Sequence, residues 1–275
     1  MGFHRPDRID DALAALGAGA SVIAGGTDWY PSRGDGPVPQ DVLDVTRLPG
    51  FRGIARDGDG WRIGAATTWT EIARAELPRG FDGLRAAARV VGSVQIQNAG
   101  TVGGNICNAS PAADGMPPLL TLDATVELVG PGGVRQVPLD RFVTGVRRTG
   151  LRPGELLRAI HIPDPLSAGA AFEKLGSRKY LVISIAMVAA LVRAEAGRVA
   201  DARVAVGACS PVARRLPELE RALVGADAGA VARIVTPDLL GGLAPISDVR
   251  GSADYRMDAV AALVARAVGT AAEEA

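Results

Sequence analysis

Two glycine-rich segments constrain this chain more than any other feature. The first, Ala24–Gly25–Gly26–Thr27–Asp28, follows the apolar run Ser21–Val22–Ile23. The second, Gly100–Thr101–Val102–Gly103–Gly104–Asn105, continues as Ile106–Cys107–Asn108–Ala109–Ser110–Pro111–Ala112–Ala113–Asp114. Glycine opens backbone conformations closed to other residues and lets N–H groups turn toward an anion that approaches closely. Thr, Asn and Ser side chains add neutral donors, so the two segments together can hold a diphosphate without a lysine, and Asp114 can accept from sugar hydroxyls. Ordinary tight turns are the alternative for either segment alone. Two segments so dense in hydrogen-bonding residues weigh against it.

Composition narrows the classes. A chain of 275 residues suggests two or three substructures. Thirty acidic residues balance thirty basic ones, so no global field favours nucleic acid or an anionic membrane. Hydrophobic residues make up 48%, enough for a core. Lysine occurs only at 174 and 179; with the abundant Ala and Gly, the Arg excess reads as GC-rich coding bias. Cys107 and Cys209 cannot form a disulfide framework or, by themselves, ligate an iron–sulfur cluster that needs four cysteines. His4 and His161 show no evident partner, and two histidines do not make a histidine-rich zinc site. There is no GxGxxG after a strand, no GxxxxGK[ST], no HExxH and no GxSxG, so Rossmann dehydrogenase, P-loop NTPase and serine hydrolase all lose weight. Met1 to Leu16 lacks the pattern of a secretory signal, and the apolar stretch Tyr180 to Val192 is shorter than the roughly 20 residues of a membrane helix. The expectation is a soluble cytoplasmic protein with no membrane span and no nucleic-acid partner.

Periodicity and turn residues predict helices at Asp10–Leu16 and Leu84–Val91, with another opening at Thr70 as N-cap. Strands are expected at Ser21–Ala24 and Val42–Val45, with the loop Gly34–Pro39 between them. Hairpins are expected at Gly53–Ala55 with Trp61–Gly64, and at Thr125–Val129 with Val134–Val137. Leu156–Ile162 reads as a strand stopped by Pro163 and Pro165, which open a linker running to Gly169. Strands at Ala170–Leu175, Leu181–Arg193 and Val199–Gly207 follow, then helices at Arg214–Leu223 and Asp258–Ala267. Strands and helices mix without regular βαβ alternation, which favours an α+β fold.

The two glycine segments resemble the flavin-binding loops of the FAD-binding medium subunit of molybdenum hydroxylases, the xanthine dehydrogenase and carbon monoxide dehydrogenase family. Val42–Leu43–Asp44–Val45 with Leu48–Pro49–Gly50–Phe51, Arg62–Ile63–Gly64–Ala65 with Thr67–Thr68, and Pro117–Pro118–Leu119–Leu120 match in order. Phe172–Glu173–Lys174–Leu175 with Arg178 resembles the opening of the family's C-terminal domain, and Asp248–Val249–Arg250–Gly251–Ser252–Ala253–Asp254–Tyr255–Arg256 its final helix entry. The resemblance covers nearly the whole chain. It implies a two-part FAD-binding domain of the vanillyl-alcohol-oxidase (PCMH) type over residues 1–165, divided at about residue 55. A C-terminal α+β domain with a small antiparallel sheet and helices would cover 170–275.

The resemblance further implies noncovalent FAD against Ile23, Ala24, Gly25, Gly26, Thr27 and Asp28 on one side and Thr101, Gly103, Gly104, Asn105, Ala109, Ser110 and Asp114 on the other. The ring would lie near Leu157 and the C-terminal domain, where Lys174 and Arg178 are the candidate cations. Trp29 and Tyr30 are candidates to stack on the ring. The implied role is an electron-transfer flavoprotein subunit with no catalytic acid or base and no metal of its own. Partners would be a molybdopterin-binding large subunit and a small subunit with [2Fe–2S] clusters, in a dimer of heterotrimers. A free-standing FAD-dependent oxidase or reductase of the same flavin-binding fold is the alternative.

Overall fold

The computed structural model describes residues 2–34, 36, 41–165, 167–179 and 181–275. Most of the expected loop Gly34–Pro39 lies outside the described residues, as do Leu166 of the linker and Tyr180. The chain opens with β1 (Gly2–His4), α1 (Ile9–Gly17), β2 (Ser21–Ile23) and β3 (Asp41–Asp44). They form a small parallel sheet in the order β1–β3–β2. β1 is too short to be legible as a strand. Ala12 of α1 packs with Leu43, Leu48 and Phe51 into the core of this unit.

A second unit follows. β4 (Ile54–Asp57) and β5 (Gly60–Gly64) form the expected hairpin. Four short helices come next: α2 (Trp69–Arg74), α3 (Asp82–Val90), α4 (Val94–Ala99) and α5 (Val102–Asn108). α6 (Met116–Thr121) leads into the expected hairpin of β6 (Thr125–Gly130) and β7 (Gly133–Pro138). A turn of helix α7 (Leu139–Phe142) and the small pair β8 (Val143–Gly145) and β9 (Arg148–Thr149) connect to β10 (Leu156–Pro163). The strands make one antiparallel sheet in the order β4–β5–β10–β6–β7. Its apolar face, Ile63, Val126 and Ile160, packs with Ile72, Leu84, Ile106 and Leu119 from the helices.

The cap of α2 is Thr68 rather than Thr70. Its hydroxyl accepts from the Glu71 amide at 3.3 Å while the Glu71 carboxylate accepts from the Thr68 amide at 2.8 Å, a reciprocal box that Thr70 has no partner to form.

Beyond the prolines, β11 (Gly169–Leu175), β12 (Ala186–Glu195), β13 (Arg198–Gly207) and β14 (Arg214–Arg215) form an antiparallel sheet in chain order. α8 (Pro217–Leu223) and α9 (Ala253–Glu273) follow. Val260, Leu263, Val264, Ala267 and Val268 of α9 pack with Val188, Ala190, Val204 and Val206 of the sheet. The expected helix at Arg214 starts instead at Pro217, because Arg214 and Arg215 pair with β13 and proline is suited to a first helical turn. The expected strand from Leu181 begins only at Ala186. Leu181 sits in the left-handed region at φ 51°, which breaks the extended run.

The linker does not separate the cores. Ala168, Ala170, Leu191 and Ala205 pack in the same cluster as Ile63 and Leu84. Both histidines have partners after all. His4 Nε2 lies 3.4 Å from Asp41, and His161 bridges Glu127 at 3.0 Å and Asp57 at 3.2 Å. Asp41 and Asp57 come from distant or turn positions that spacing does not reveal. Among the described residues, no helix is long and apolar enough to cross a membrane.

Candidate functional site

The two glycine segments both line one cavity of about 630 Å³. This is within the range of small-molecule and cofactor sites. The first segment is the turn after β2. Gly26 has φ 71°, a conformation that favours glycine. A Cβ at Gly25 would run into the carbonyl of Ala99, so the backbone after β2 and the end of α4 touch there. Among the described residues, the amides of Gly25, Gly26 and Thr27 donate to no protein acceptor. They are therefore the donors left for an anionic ligand.

The second segment is not a loop. Thr101 caps α5, its hydroxyl accepting from Gly104 N at 3.1 Å. Val102 N donates to Thr67 O at 3.0 Å and Gly103 N to Ala65 O at 2.8 Å. These amides are spent on the protein, contrary to the expectation that they would turn toward an anion. A Cβ at Gly103 would lie 2.6 Å from Ala65 Cβ, so this glycine is needed where α5 meets the end of β5. Gly104 is exposed to the cavity, and a Cβ there would approach only Thr101 Oγ1, at 2.9 Å. Asn105 Oδ1, in the cavity wall, is buried without a hydrogen-bond partner among the described residues. A buried acceptor left unsatisfied is costly, and a ligand donor would relieve it.

Of the expected contacts, Ile23, Ala24, Gly25, Gly26, Thr27, Asp28, Thr101, Gly103, Gly104, Asn105, Asp114 and Leu157 line this cavity. Ala109, Ser110 and Lys174 stand outside its wall. Ala109 is buried in the left-handed conformation that ends α5, and its carbonyl accepts from Arg147 N at 2.8 Å. Ser110 Oγ accepts from Ala112 N at 3.2 Å within a turn. Lys174 is nearly buried and donates to Asp114 Oδ2 at 2.6 Å and to Val90 O at 3.3 Å. It therefore reaches the cavity only through Asp114.

Asp114 also accepts from Ser184 Oγ at 2.6 Å. Burial pushes the Asp114 carboxyl above its ordinary value, while the Lys174 charge and the hydrogen bonds from Lys174 and Ser184 pull it down. Arg178 is exposed and donates to Leu181 O at 3.0 Å, so only one of the two candidate cations is built into the wall's support.

Asp28 is exposed at the mouth. It accepts from Asn108 Nδ2 and lies 3.8 Å from Arg147, which ties the first segment to the end of α5. Trp29 lines the cavity and donates to Ser21 Oγ at 3.3 Å, while Tyr30 lies outside and meets Trp29 edge-on at 4.9 Å. Cys107 also lines the cavity. Burial pushes its thiol up to about 12, so it is a protonated wall residue and not a reactive thiolate.

Sequence reasoning missed Leu181, Val182 and Ile183, which bring an apolar edge from the C-terminal half. Leu181 N donates to Gly92 O at 3.3 Å across the two halves. The exposure of Leu181 and Ile183, both about half accessible, marks them only once the fold is known.

Residues 1–165 match the model for the FAD-binding domain in molybdopterin dehydrogenase, and residues 170–271 match the CO dehydrogenase flavoprotein C-terminal domain. The chain belongs to the FAD-binding medium-subunit family of the molybdenum hydroxylases. It is 31% identical to the xanthine dehydrogenase FAD-binding subunit of Escherichia coli O157:H7 over 98% of this chain and 95% of that one. It is 33% identical to the carbon monoxide dehydrogenase medium chain of Afipia carboxidovorans, over 97% of this chain and 94% of that one. A crystal structure of Cu,Mo-CO dehydrogenase in its cyanide-inactivated form superposes with a TM-score of 0.91 at 30% identity, covering 100% of this chain and 98% of that one. As a member of this family the chain is an FAD-binding oxidoreductase subunit with the family's two-part flavin fold. The unpaired amides of the first segment, the open space at Gly104 and the orphaned Asn105 oxygen fit that cofactor.

Proposed function

We propose that FAD binds noncovalently in this cavity and that the chain passes electrons from [2Fe–2S] clusters on a partner subunit to a final acceptor. The observation that carries the reading is one cavity lined by both glycine segments, with free amides on the first and an orphaned carbonyl oxygen on the second. Bound FAD supplies the redox chemistry that side chains lack. The chain's own residues do the rest. Gly25, Gly26 and Thr27 offer amides to the diphosphate, and Gly104 leaves room beside it. Asn105 Oδ1 accepts a ligand donor. Asp114, held by Lys174 and Ser184, presents a further acceptor whose charge is already balanced. Leu157, Leu181, Val182 and Ile183 keep water from the ring. No residue of the cavity needs to act as an acid or base on an organic substrate.

The reading extends to assembly. A large subunit would carry molybdopterin and oxidise the substrate, a small subunit would carry the clusters, and the whole would form a dimer of heterotrimers. The boundaries 1–165 and 170–275 then divide the chain into a cofactor-binding part and a part that adjoins both cofactor and partners. Because the net charge is zero, the contacts should rest on apolar burial and survive moderate salt. Size exclusion of the three co-expressed chains at low and high salt tests this, together with substrate-driven bleaching of the flavin absorbance. Co-elution at both salts, with bleaching only when all three chains are present, is expected. A flavin chain that separates at low salt, or that turns over substrate alone, overturns the reading in favour of a free-standing enzyme.

A further inference from the structure

Arg256 lies in the first turn of α9, in the C-terminal half, with 3% of its surface exposed, and it is not part of the cavity wall. Its guanidinium makes three hydrogen bonds. Nη2 donates to Asp248 Oδ1 at 2.7 Å, and Nη1 donates to the carbonyls of Ile185 at 2.5 Å and Ala208 at 3.0 Å. Both carbonyls stand next to groups that grip one segment of the FAD-binding half. Ile185 follows Ser184, whose hydroxyl donates to Asp114 at 2.6 Å. Ala208 N donates to Pro111 O at 2.9 Å. One buried guanidinium thus holds both ends of the 111–114 segment through two different strand termini. Ala208 is left-handed at φ 62°, an uncommon conformation for alanine, which its carbonyl and amide bonds hold in place.

We propose that Arg256 is a positioning residue of the cofactor cavity, setting Asp114 against the ligand through Ser184 on one arm and Pro111 on the other. This rests on the assignment of the cavity to FAD above. A lysine at 256 would keep the charge but not the fork that reaches Asp248 and the two carbonyls at once. If Arg256 served only to stabilise α9, any buried residue of the helix would do as well for the cavity, and Val260, one turn on and equally buried, is the comparison.

The test uses the full chain freed of flavin. Amide hydrogen exchange is followed by mass spectrometry in wild type, Arg256→Lys and Val260→Ala, and FAD affinity is measured on the same proteins and on Asp114→Asn and its double variant with Arg256→Lys. Arg256→Lys is expected to speed exchange in residues 111–116 and 183–186 by roughly tenfold, while Val260→Ala leaves those peptides as in wild type. FAD affinity should fall by about tenfold in Arg256→Lys, the scale of one buried charged hydrogen bond. The double variant should bind no more weakly than Asp114→Asn alone. Unchanged exchange at 111–116, or losses that add in the double variant, overturns the proposal. Should Arg256→Lys not accumulate as soluble protein, Asp248→Asn loosens the same guanidinium from its outer end and is held to the same outcomes. A wild-type chain that takes up no FAD, while Arg256→Lys still speeds exchange relative to it, overturns the assignment of the cavity and is told apart from failure of the tie by the flavin-free measurement.

Discussion

Glu127 shows how a single residue can carry a pH dependence. It lies on β6 with Arg158 at 2.6 Å, Arg62 at 3.3 Å and His161 at 3.0 Å. Burial would raise its carboxyl, but these partners prevail and hold it at about 2 against an ordinary 4.5. A carboxyl depressed in the fold contributes stability that is complete above the unfolded value and is lost as pH falls through the folded one. Thermal midpoints should therefore drop between about pH 4.5 and about pH 2, and Glu127→Gln should flatten that limb while lowering the plateau near neutrality. An unchanged limb in the variant would remove Glu127 from the acid transition. Gly104 gives the complementary case. A Cβ there meets only Thr101 Oγ1 within the protein, so Gly104→Val should shift unfolding by urea by about 1 kcal/mol, the worth of a weakened cap, while FAD uptake is lost. A variant that folds and still binds FAD as wild type does would clear Gly104 of contact. The glycines were legible because their chemistry is local. The Asp114–Lys174 pair was not, because its partners are brought together only when β11 docks beside α3.

At the level of elements, what the sequence showed depended on how far each element's reasons lay from it. The hairpins β4–β5 and β6–β7 were readable from alternating residues around glycine turns, and both pair as expected. Gly103 and Gly104 lower helix propensity, so the sequence of α5 favours a loop. Thr101 caps the first turn and the tight seat against Ala65 makes glycine a requirement there, so packing overrides propensity. α9 extends well beyond the expected Asp258–Ala267, since Ser252 caps it and Ala271 and Ala272 still find the core. Its hold on the sheet should be large. Leu263 is 2% exposed in that core, and Leu263→Ala should cost about 2–5 kcal/mol by cavity formation, read as a shift in the urea midpoint. A shift within the error of the wild type would mean that the helix does not anchor the C-terminal half.

Taken whole, the molecule places this cavity where three parts of the chain converge. The turn after β2 comes from the small parallel sheet, α5 and β10 from the five-stranded unit, and Leu181–Ile183 from the C-terminal half. No one piece encloses the site, which explains why the first two walls could be read from motifs and the third could not. Composition excludes classes of function and bears on assembly only through the zero net charge. The family likeness supplies the cofactor, and the geometry supplies how this chain would keep it. The central claim is that one FAD binds noncovalently between the two glycine segments. Its most direct test is an equilibrium titration of the flavin-free chain with FAD, followed by acid precipitation of the saturated protein. The account predicts saturation at one FAD per chain with all of the flavin recovered in the supernatant. Binding that never saturates, or flavin that stays with the precipitated chain, would contradict it.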